Sequence, residues 1–205
     1  APTEAPVATE EPTAEPTAEA ETSITRGTWT DGVYYNATAG FNFTPPENWL
    51  LADDEYIAQL VGVSKEMLGT EGEDLSDHEV VYDTFVQNPD NGTNVFIIYQ
   101  KVSMLGALGI GIGDIMDEIV KQMGENTAMN CTYVGTTEQT LGSTDYQCAE
   151  FDVDISGITI KQYILVNKFM NYTTNITITA MASEPIEEFL PMFTSAQTAM
   201  ADCCG

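Results

Sequence analysis

The chain has 205 residues, 43% of them apolar, which is enough for one domain with a sizeable hydrophobic core. Its 32 acidic and six basic side chains give a formal net charge of -26. This balance excludes nucleic acid and anionic membrane surfaces as partners, since both need clustered Lys or Arg. No apolar run reaches the roughly 18 residues of a membrane-spanning helix, so no transmembrane segment is predicted.

The acidic charge has two interpretations. It can keep the protein soluble and monomeric, which is the usual effect of a high net charge, and a monomer is therefore expected. It can also gather cations or basic partners.

Residues 1–27 are predicted to be a disordered acidic tether. The first 23 residues are mostly Pro, Ala, Thr and Glu, with no aromatic or basic side chain, so they cannot bury enough surface to fold. A semi-stiff acidic spacer suits a domain held at a surface by its N-terminus, although a linker between two domains would have the same composition. Residues 28–205 then form one domain.

The domain is predicted to begin with two short strands and a helix. Residues 28–44 alternate aromatic and small polar residues, and the prolines that follow end the pairing. Acidic residues from Asp53 onward favour a helix start, and Gly69 offers a stop. The apolar side chains expected on the buried face of this helix are Tyr56, Ile57, Leu60, Val61, Val63, Met67 and Leu68.

An acidic loop at 70–77 separates this helix from a predicted hairpin with strands at 78–87 and 93–103. Closely spaced carboxylates are what calcium prefers, although the loop lacks the EF-hand spacing. A solvated acidic loop is the simpler interpretation, and weak calcium binding is the hypothesis beside it. The candidate ligands are Glu71, Glu73, Asp74 and Asp77.

Residues 103–113 form an uncharged, glycine-rich connection that leads into a helix predicted to be capped by Asp114. The glycines match neither a Walker loop nor the dinucleotide fingerprint, so no cofactor is predicted. Apolar loops pack or bind, and we hypothesise an apolar lip for a partner. Its members are Met104, Leu105, Leu108, Ile110 and Ile112.

Four further strands are predicted at 131–140, 144–154, 158–169 and 171–182, and a last helix opens at Glu184. Short turns between successive strands mean antiparallel pairing. The expected fold is α+β, with an antiparallel sheet of about six to eight strands flanked by three helices.

The four cysteines are disulfide candidates: Cys131, Cys148, Cys203 and Cys204. The register of the predicted hairpin places Cys131 and Cys148 too far apart to bond to each other. The adjacent Cys203 and Cys204 are awkward partners for one another, so at least one of them is expected to reach Cys131 or Cys148. Zinc is not expected, because the cysteines lack paired knuckles and the chain has one histidine.

No catalytic residues are predicted. His78 is the only imidazole, and no nucleophile motif accompanies it. Asp152 and Asp154 share one face of a strand and could act as paired carboxylates, but exposed surface residues explain them as well.

The segment Tyr35–Trp49, "YNATAGFNFTPPENW", resembles the opening of PsbP/Mog1-like domains in lipoproteins of Gram-positive bacteria. The order of the predicted elements is similar as well. The resemblance implies an antiparallel sheet flanked by helices and a location outside the membrane of a bacterial cell, lipid-tethered or secreted. Known members of the wider superfamily are mostly adaptors.

We therefore expect a non-catalytic binding or accessory domain on the outer side of the cell membrane, with an unknown protein or envelope partner and a possible N-terminal lipid anchor. Two alternatives remain: a carboxylate-dependent hydrolase outside the cytoplasm and a weak calcium-binding surface protein.

Overall fold

Two antiparallel sheets pack face to face, and helices cover the outer face of the larger sheet. The computed structural model describes residues 23–36, 39–70, 72–102, 110–126, 130–169 and 171–196. Within these ranges the predicted α+β architecture, an antiparallel sheet flanked by helices, is confirmed.

The smaller sheet joins the beginning of the domain to its end. Its strands, in spatial order, are β1 (Thr28–Thr30), β2 (Val33–Asn36), β3 (Phe41–Phe43) and β11 (Phe193–Ser195). The ring of Phe193 stacks on Phe43 at 4.8 Å and meets Phe41 edge-on at 5.2 Å, which fixes β11 beside β3.

In the described part of the chain the larger sheet has seven strands in the order β4-β5-β6-β10-β9-β8-β7, so β4 and β7 are its edges there. The predicted hairpins are confirmed, since each long strand pairs with its neighbour in sequence from β7 to β10 and β5 pairs with β6. The strands are β4 (Leu50–Leu51), β5 (Val80–Gln87), β6 (Asn94–Lys101), β7 (Asn130–Leu141), β8 (Thr144–Ile155), β9 (Ile158–Phe169) and β10 (Tyr172–Met181).

The main core lies between the two sheets. Alternate residues of β6 and β10 point toward the smaller sheet, because side chains on a strand alternate between its faces. The buried residues that these two strands contribute are Val95, Ile97, Tyr99, Tyr172, Ile176, Ile178 and Ala180.

Two helices cover the opposite face of the larger sheet. Helix α1 (Asp54–Val61) packs Ile57 and Ala58 against Phe85. Helix α2 (Ile112–Glu125) packs around Met116 against Phe151. Neither helix is long and apolar enough to span a bilayer, and the same holds throughout the described part of the chain.

Three local predictions were wrong in detail. Residues 28–44 form three strands rather than two. The first helix stops at Gly62, which adopts φ 74° and donates to Ala58 O, so residues 65–68 form a separate 3-10 turn. Helix α2 is capped by Gly111, and Asp114 lies inside it and accepts from Gly111 N at 2.9 Å.

The segment predicted as the last helix forms two 3-10 turns, Ile186–Glu188 and Leu190–Met192, before β11. Pro191 cannot donate a backbone hydrogen bond, which disfavours a continuous helix. Burial of Phe193 between the sheets then favours strand pairing with β3 over further helix.

Candidate functional site

A buried carboxylate organises one end of the domain. Asp83 is the extra residue of a bulge in β5, because the pairing with β6 shifts between Tyr82 and Thr84. The Asp83 side chain lies on the same face of β5 as Val81 of the main core, and the residue is 2% exposed.

Three donors satisfy this carboxylate. Gly27 N donates to Asp83 Oδ1 at 2.8 Å, and the hydroxyl of Tyr34 and the amide of Asn36 donate to Oδ2. Burial raises the pKa of Asp83 above its ordinary value, while the Tyr34 and Gly27 hydrogen bonds and nearby Arg26 oppose this shift. Burial, reinforced by the Asp83 charge, also holds the pKa of Tyr34 well above its usual range, so Tyr34 remains a donor.

Arg26 connects this bulge to α1. Its guanidinium donates to Asp54 Oδ1 at 2.8 Å and to the Asp83 carbonyl at 2.9 Å. The Asp53 side chain starts the helix by accepting from Tyr56 N at 2.8 Å. The start of α1 is therefore fixed by a cap and by an ion pair.

Helix α1 and the edge strand β4 both expose apolar side chains to solvent. Leu50 is 61% exposed, Leu51 49%, Tyr56 45% and Leu60 49%. Tyr56 and Leu60 are one helical turn apart, so they share a face. We call these four residues the β4–α1 surface. Tyr56 and Leu60 were predicted on the buried face, and that prediction was wrong, because α1 buries only Ile57 and Ala58.

Three pockets meet at Leu51. One of about 250 Å³ lies beside Arg26 and Trp29, and another of about 250 Å³ lies between Leu50 and Phe85. A third, of about 370 Å³, extends past Trp49 to Pro45 and Pro46. The acidic residues that line these pockets are Asp31, Glu47, Asp53, Asp54 and Asp83, of which Asp83 is buried. The surface therefore combines apolar side chains and shallow pockets with an acidic border.

Sequence reasoning did not find this surface. The sequence does contain a signal for an exposed edge strand. Leu50 and Leu51 follow "PPENW" directly and come just before the acidic helix start, so only these two residues can form a strand there. A strand this short at a sheet edge is covered by few neighbours, so its side chains remain exposed.

The apolar lip is only partly within the described residues. Met104, Leu105 and Leu108 lie outside them. Ile110 is 41% exposed and borders a groove of about 260 Å³ between α2 and strands β6 and β10. Ile112 begins α2 and packs against the Met116 cluster. The lip stays a hypothesis.

The candidate calcium ligands within the described residues do not form a shared site. Glu73 accepts from the backbone and hydroxyl of Thr70, and Asp74 accepts from the backbone and hydroxyl of Ser76. Glu71 lies outside the described residues. Over the described ranges, no group of three His, Cys, Asp or Glu side chains is close enough together to hold a metal ion, and this includes Asp77.

The carboxylates of the predicted pair have separate structural roles. Asp152 Oδ1 lies 2.8 Å from Lys161 Nζ, which also lies 2.6 Å from Glu150 Oε1. Asp154 instead accepts from Gly157 N at the β8–β9 turn. The hydrogen bonds from Lys161 to Asp152 and Glu150 raise the pKa of this lysine, which is therefore a cation rather than a base.

Cys131 lies opposite Val153 and Cys148 opposite Thr137, and neither forms a disulfide with another described residue. Cys148 is buried between the sheets. Cys203 and Cys204 lie outside the described residues, so their pairing stays a prediction.

No protein-family model and no curated protein matches the sequence. Among solved structures, the chain is similar to cyanobacterial PsbP (CyanoP) from Synechocystis sp. PCC 6803, with a TM-score of 0.50 and 10% identity over 88% of this chain and 98% of that chain. A protein from Bacteroides thetaiotaomicron VPI-5482 matches with a TM-score of 0.44 and 13% identity over 82% of this chain and 49% of that chain. The similarity to cyanobacterial PsbP shows that the domain has a PsbP-like fold.

Proposed function

We propose that this chain is a non-catalytic binding or accessory domain that acts on the outer side of a bacterial cell membrane and contacts a protein partner through the β4–α1 surface. The observation that carries the proposal is the exposure of four large apolar side chains on one helix and the adjoining sheet edge. Neighbouring exposed apolar residues in a protein of high net charge are typical of interaction sites.

The border of the surface indicates the chemistry of the partner. Asp31, Glu47 and Asp53 are exposed beside the pockets around Leu51. Arg26, the basic residue in these linings, is already paired with Asp54. A complementary partner would present apolar side chains flanked by Lys or Arg, because opposite charges speed association and disfavour wrong partners.

The surface is also well fixed for binding. Arg26 and the Asp53 cap hold the first turn of α1, and Phe85 supports Tyr56 with ring centroids 5.6 Å apart. A surface that is rigid before binding loses less conformational entropy when it meets its partner.

The non-catalytic role is supported by the contacts of two charged side chains, Asp83 and Lys161. The Asp83 carboxylate is satisfied by neighbouring donors, and Lys161 engages Asp152 and Glu150. Through these contacts the groups stabilise the fold.

The location is supported by the acidic, proline-containing composition of residues 1–23 and by the resemblance of 35–49 to bacterial lipoproteins. Protease treatment of intact native cells tests it. Digestion of the protein without cell lysis is expected, and protection until lysis would contradict the proposed location.

Binding is tested by a pull-down from native cell-envelope extract with the whole chain as bait. The variant Leu50→Ser with Leu51→Ser removes the apolar contacts without changing charge. Its matched control is Ile155→Ser with Ile158→Ser, because this pair is equally apolar and exposed but lies at the β8–β9 turn.

The proposal expects a partner that wild type and the control capture and the leucine variant loses, provided that all three proteins show the same thermal unfolding. Equal capture by all three proteins would contradict it. So would capture of the same partner by an unrelated protein of matched net charge.

A further inference from the structure

We infer that the outer edge of β7 accepts an extended, basic segment of a partner protein as an additional strand of the sheet. Among the described residues, β7 is the last strand in the order of the larger sheet and pairs with β8 on one side. It is 12 residues long, against the two residues of β4 at the opposite edge.

The regular part of this edge extends from Gly135 to Thr140. A bulge between Tyr133 and Gly135 interrupts the ladder, and the register with β8 is continuous after it. β11 approaches the far end, where a Cβ placed on Gly142 would lie 2.8 Å from Thr194 O. The stretch from Gly135 to Thr140, between these two limits, is the proposed binding site.

The side chains of this stretch do not prevent pairing. Natural edge strands are usually protected by lysine, proline or inward-facing charge. The stretch from Gly135 to Thr140 is "GTTEQT", which contains one charged residue, Glu138, and no proline. Its threonines are exposed and favour strand structure.

The backbone determines the form of the ligand. In an antiparallel ladder, alternate residues of an edge strand direct their N–H and C=O groups away from the sheet. An extended chain satisfies such a row with regular hydrogen bonds, whereas a helix or a small molecule does not. Tyr133 and Val134, exposed at the bulge, can add side-chain contacts at one end.

The surrounding charge determines the chemistry of the partner. The β7–β8 hairpin, residues 130–155, contains five acidic residues and no basic one, and Lys161 of β9 pairs with two of the five, Glu150 and Asp152. The surroundings of the edge therefore keep an excess of negative charge. A segment with Lys or Arg complements this field, while a second copy of this chain would bring another net charge of -26 to the same place. A basic partner is therefore favoured over self-association. This inference does not depend on the β4–α1 surface.

The test uses the whole chain and three synthetic peptides, with binding measured by fluorescence anisotropy. The first peptide alternates threonine or valine with lysine over nine residues. The second has the same sequence with N-methyl groups on alternate residues, which removes backbone donors but keeps the charge. The third carries glutamate in place of lysine.

The lysine peptide is expected to bind, and N-methylation is expected to weaken binding about tenfold or more because several hydrogen bonds are lost. The glutamate peptide is expected not to bind. Equal binding of the methylated peptide would overturn strand addition, and equal binding of the glutamate peptide would overturn the basic partner.

A protein variant locates the site. Thr136→Lys with Thr137→Lys adds two charges to the edge, and Ile158→Lys with Thr159→Lys adds them to an exposed turn as the control. Loss of lysine-peptide binding only in the edge variant supports the inference, and equal loss in both variants would overturn it. A wild-type dimer in light scattering that the edge variant dissociates would overturn the basic partner in favour of a second copy.

Discussion

The guanidinium of Arg26 lies 2.8 Å from the carboxylate of Asp54, and this ion pair joins the N-terminal part of the domain to its first helix. The Arg26 side chain is 12% exposed, so the pair is much less screened by water than one on the open surface. The same guanidinium donates to the Asp83 carbonyl at the β5 bulge. One side chain therefore holds three segments of the chain together.

Arg26→Met is expected to lower the free energy of unfolding by about 1–3 kcal/mol, because it leaves the Asp54 carboxylate and the Asp83 carbonyl without their donor. Urea denaturation measures this change. Lys121→Gln is the control, since Lys121 and Glu118 form an exposed pair whose loss should cost at most about 0.5 kcal/mol. Similar losses in the two variants would contradict a structural role for Arg26.

The buried Asp83 carboxyl predicts a specific pH dependence. Because burial raises its pKa in the folded protein, the folded state holds this proton more tightly than the unfolded state. Its contribution to stability is therefore greatest below the ordinary value of 3.8, falls as the pH rises toward the raised pKa, and is constant above it. Other acids, such as Glu73 and Asp74, have lowered pKa values and act in the opposite direction.

Comparison with Asp83→Asn isolates this contribution. The difference in unfolding free energy, wild type minus variant, should fall with rising pH over that interval and then become flat. Denaturation series from acidic to neutral pH measure it. A difference that rises with pH would mean that the hydrogen bonds of Asp83 outweigh its burial.

The two described cysteines should differ in reactivity. Burial and the nearby Glu150 charge raise the pKa of Cys148 to about 12. Burial also raises the pKa of Cys131, but this residue is only partly buried and is therefore accessible to a reagent. In the variant Cys203→Ser with Cys204→Ser, a thiol reagent at pH 8 should modify Cys131 in the native protein and Cys148 only after unfolding. Equal native rates, measured by mass spectrometry of the labelled peptides, would contradict the burial of Cys148.

Gly142 is required where the β7–β8 turn meets β11. It adopts φ 63°, and an added Cβ would lie 2.8 Å from Thr194 O and 3.0 Å from Ser195 Cα. Gly142→Ala should therefore destabilise the protein by more than the roughly 1 kcal/mol expected for the backbone conformation alone. Gly157→Ala is the control, because Gly157 adopts φ 86° with open space around it. Equal changes in melting temperature would contradict close packing at Gly142.

The sequence predicted the long strands well because their alternation and turns are local signals. "NPDNG" and "LGS" mark two turns that the structure contains, and the register that separates Cys131 from Cys148 followed from the second. The resemblance of residues 35–49 added the architecture. The extent of the first helix was predicted less well, because Gly62 ends it before its apolar pattern ends.

The candidate site could not be predicted in the same way. Whether Tyr56 and Leu60 are buried depends on how much of the sheet lies beneath α1, and the two-residue β4 leaves them uncovered. The segment after Glu184 was also decided by distant contacts, because Phe193 packs against Phe41 and Phe43 about 150 residues earlier. Local sequence patterns do not predict contacts between residues that are far apart in the chain.

The order of the larger sheet has a consequence for valency. β4 and β7 are separated by six strand spacings, or about 29 Å at roughly 4.8 Å each. Two ligands at these edges would not collide, and each could be held while the other is bound. One copy of the domain could then bridge two proteins, and a pair of binding segments on one flexible chain would gain avidity if the linker between them spans that distance.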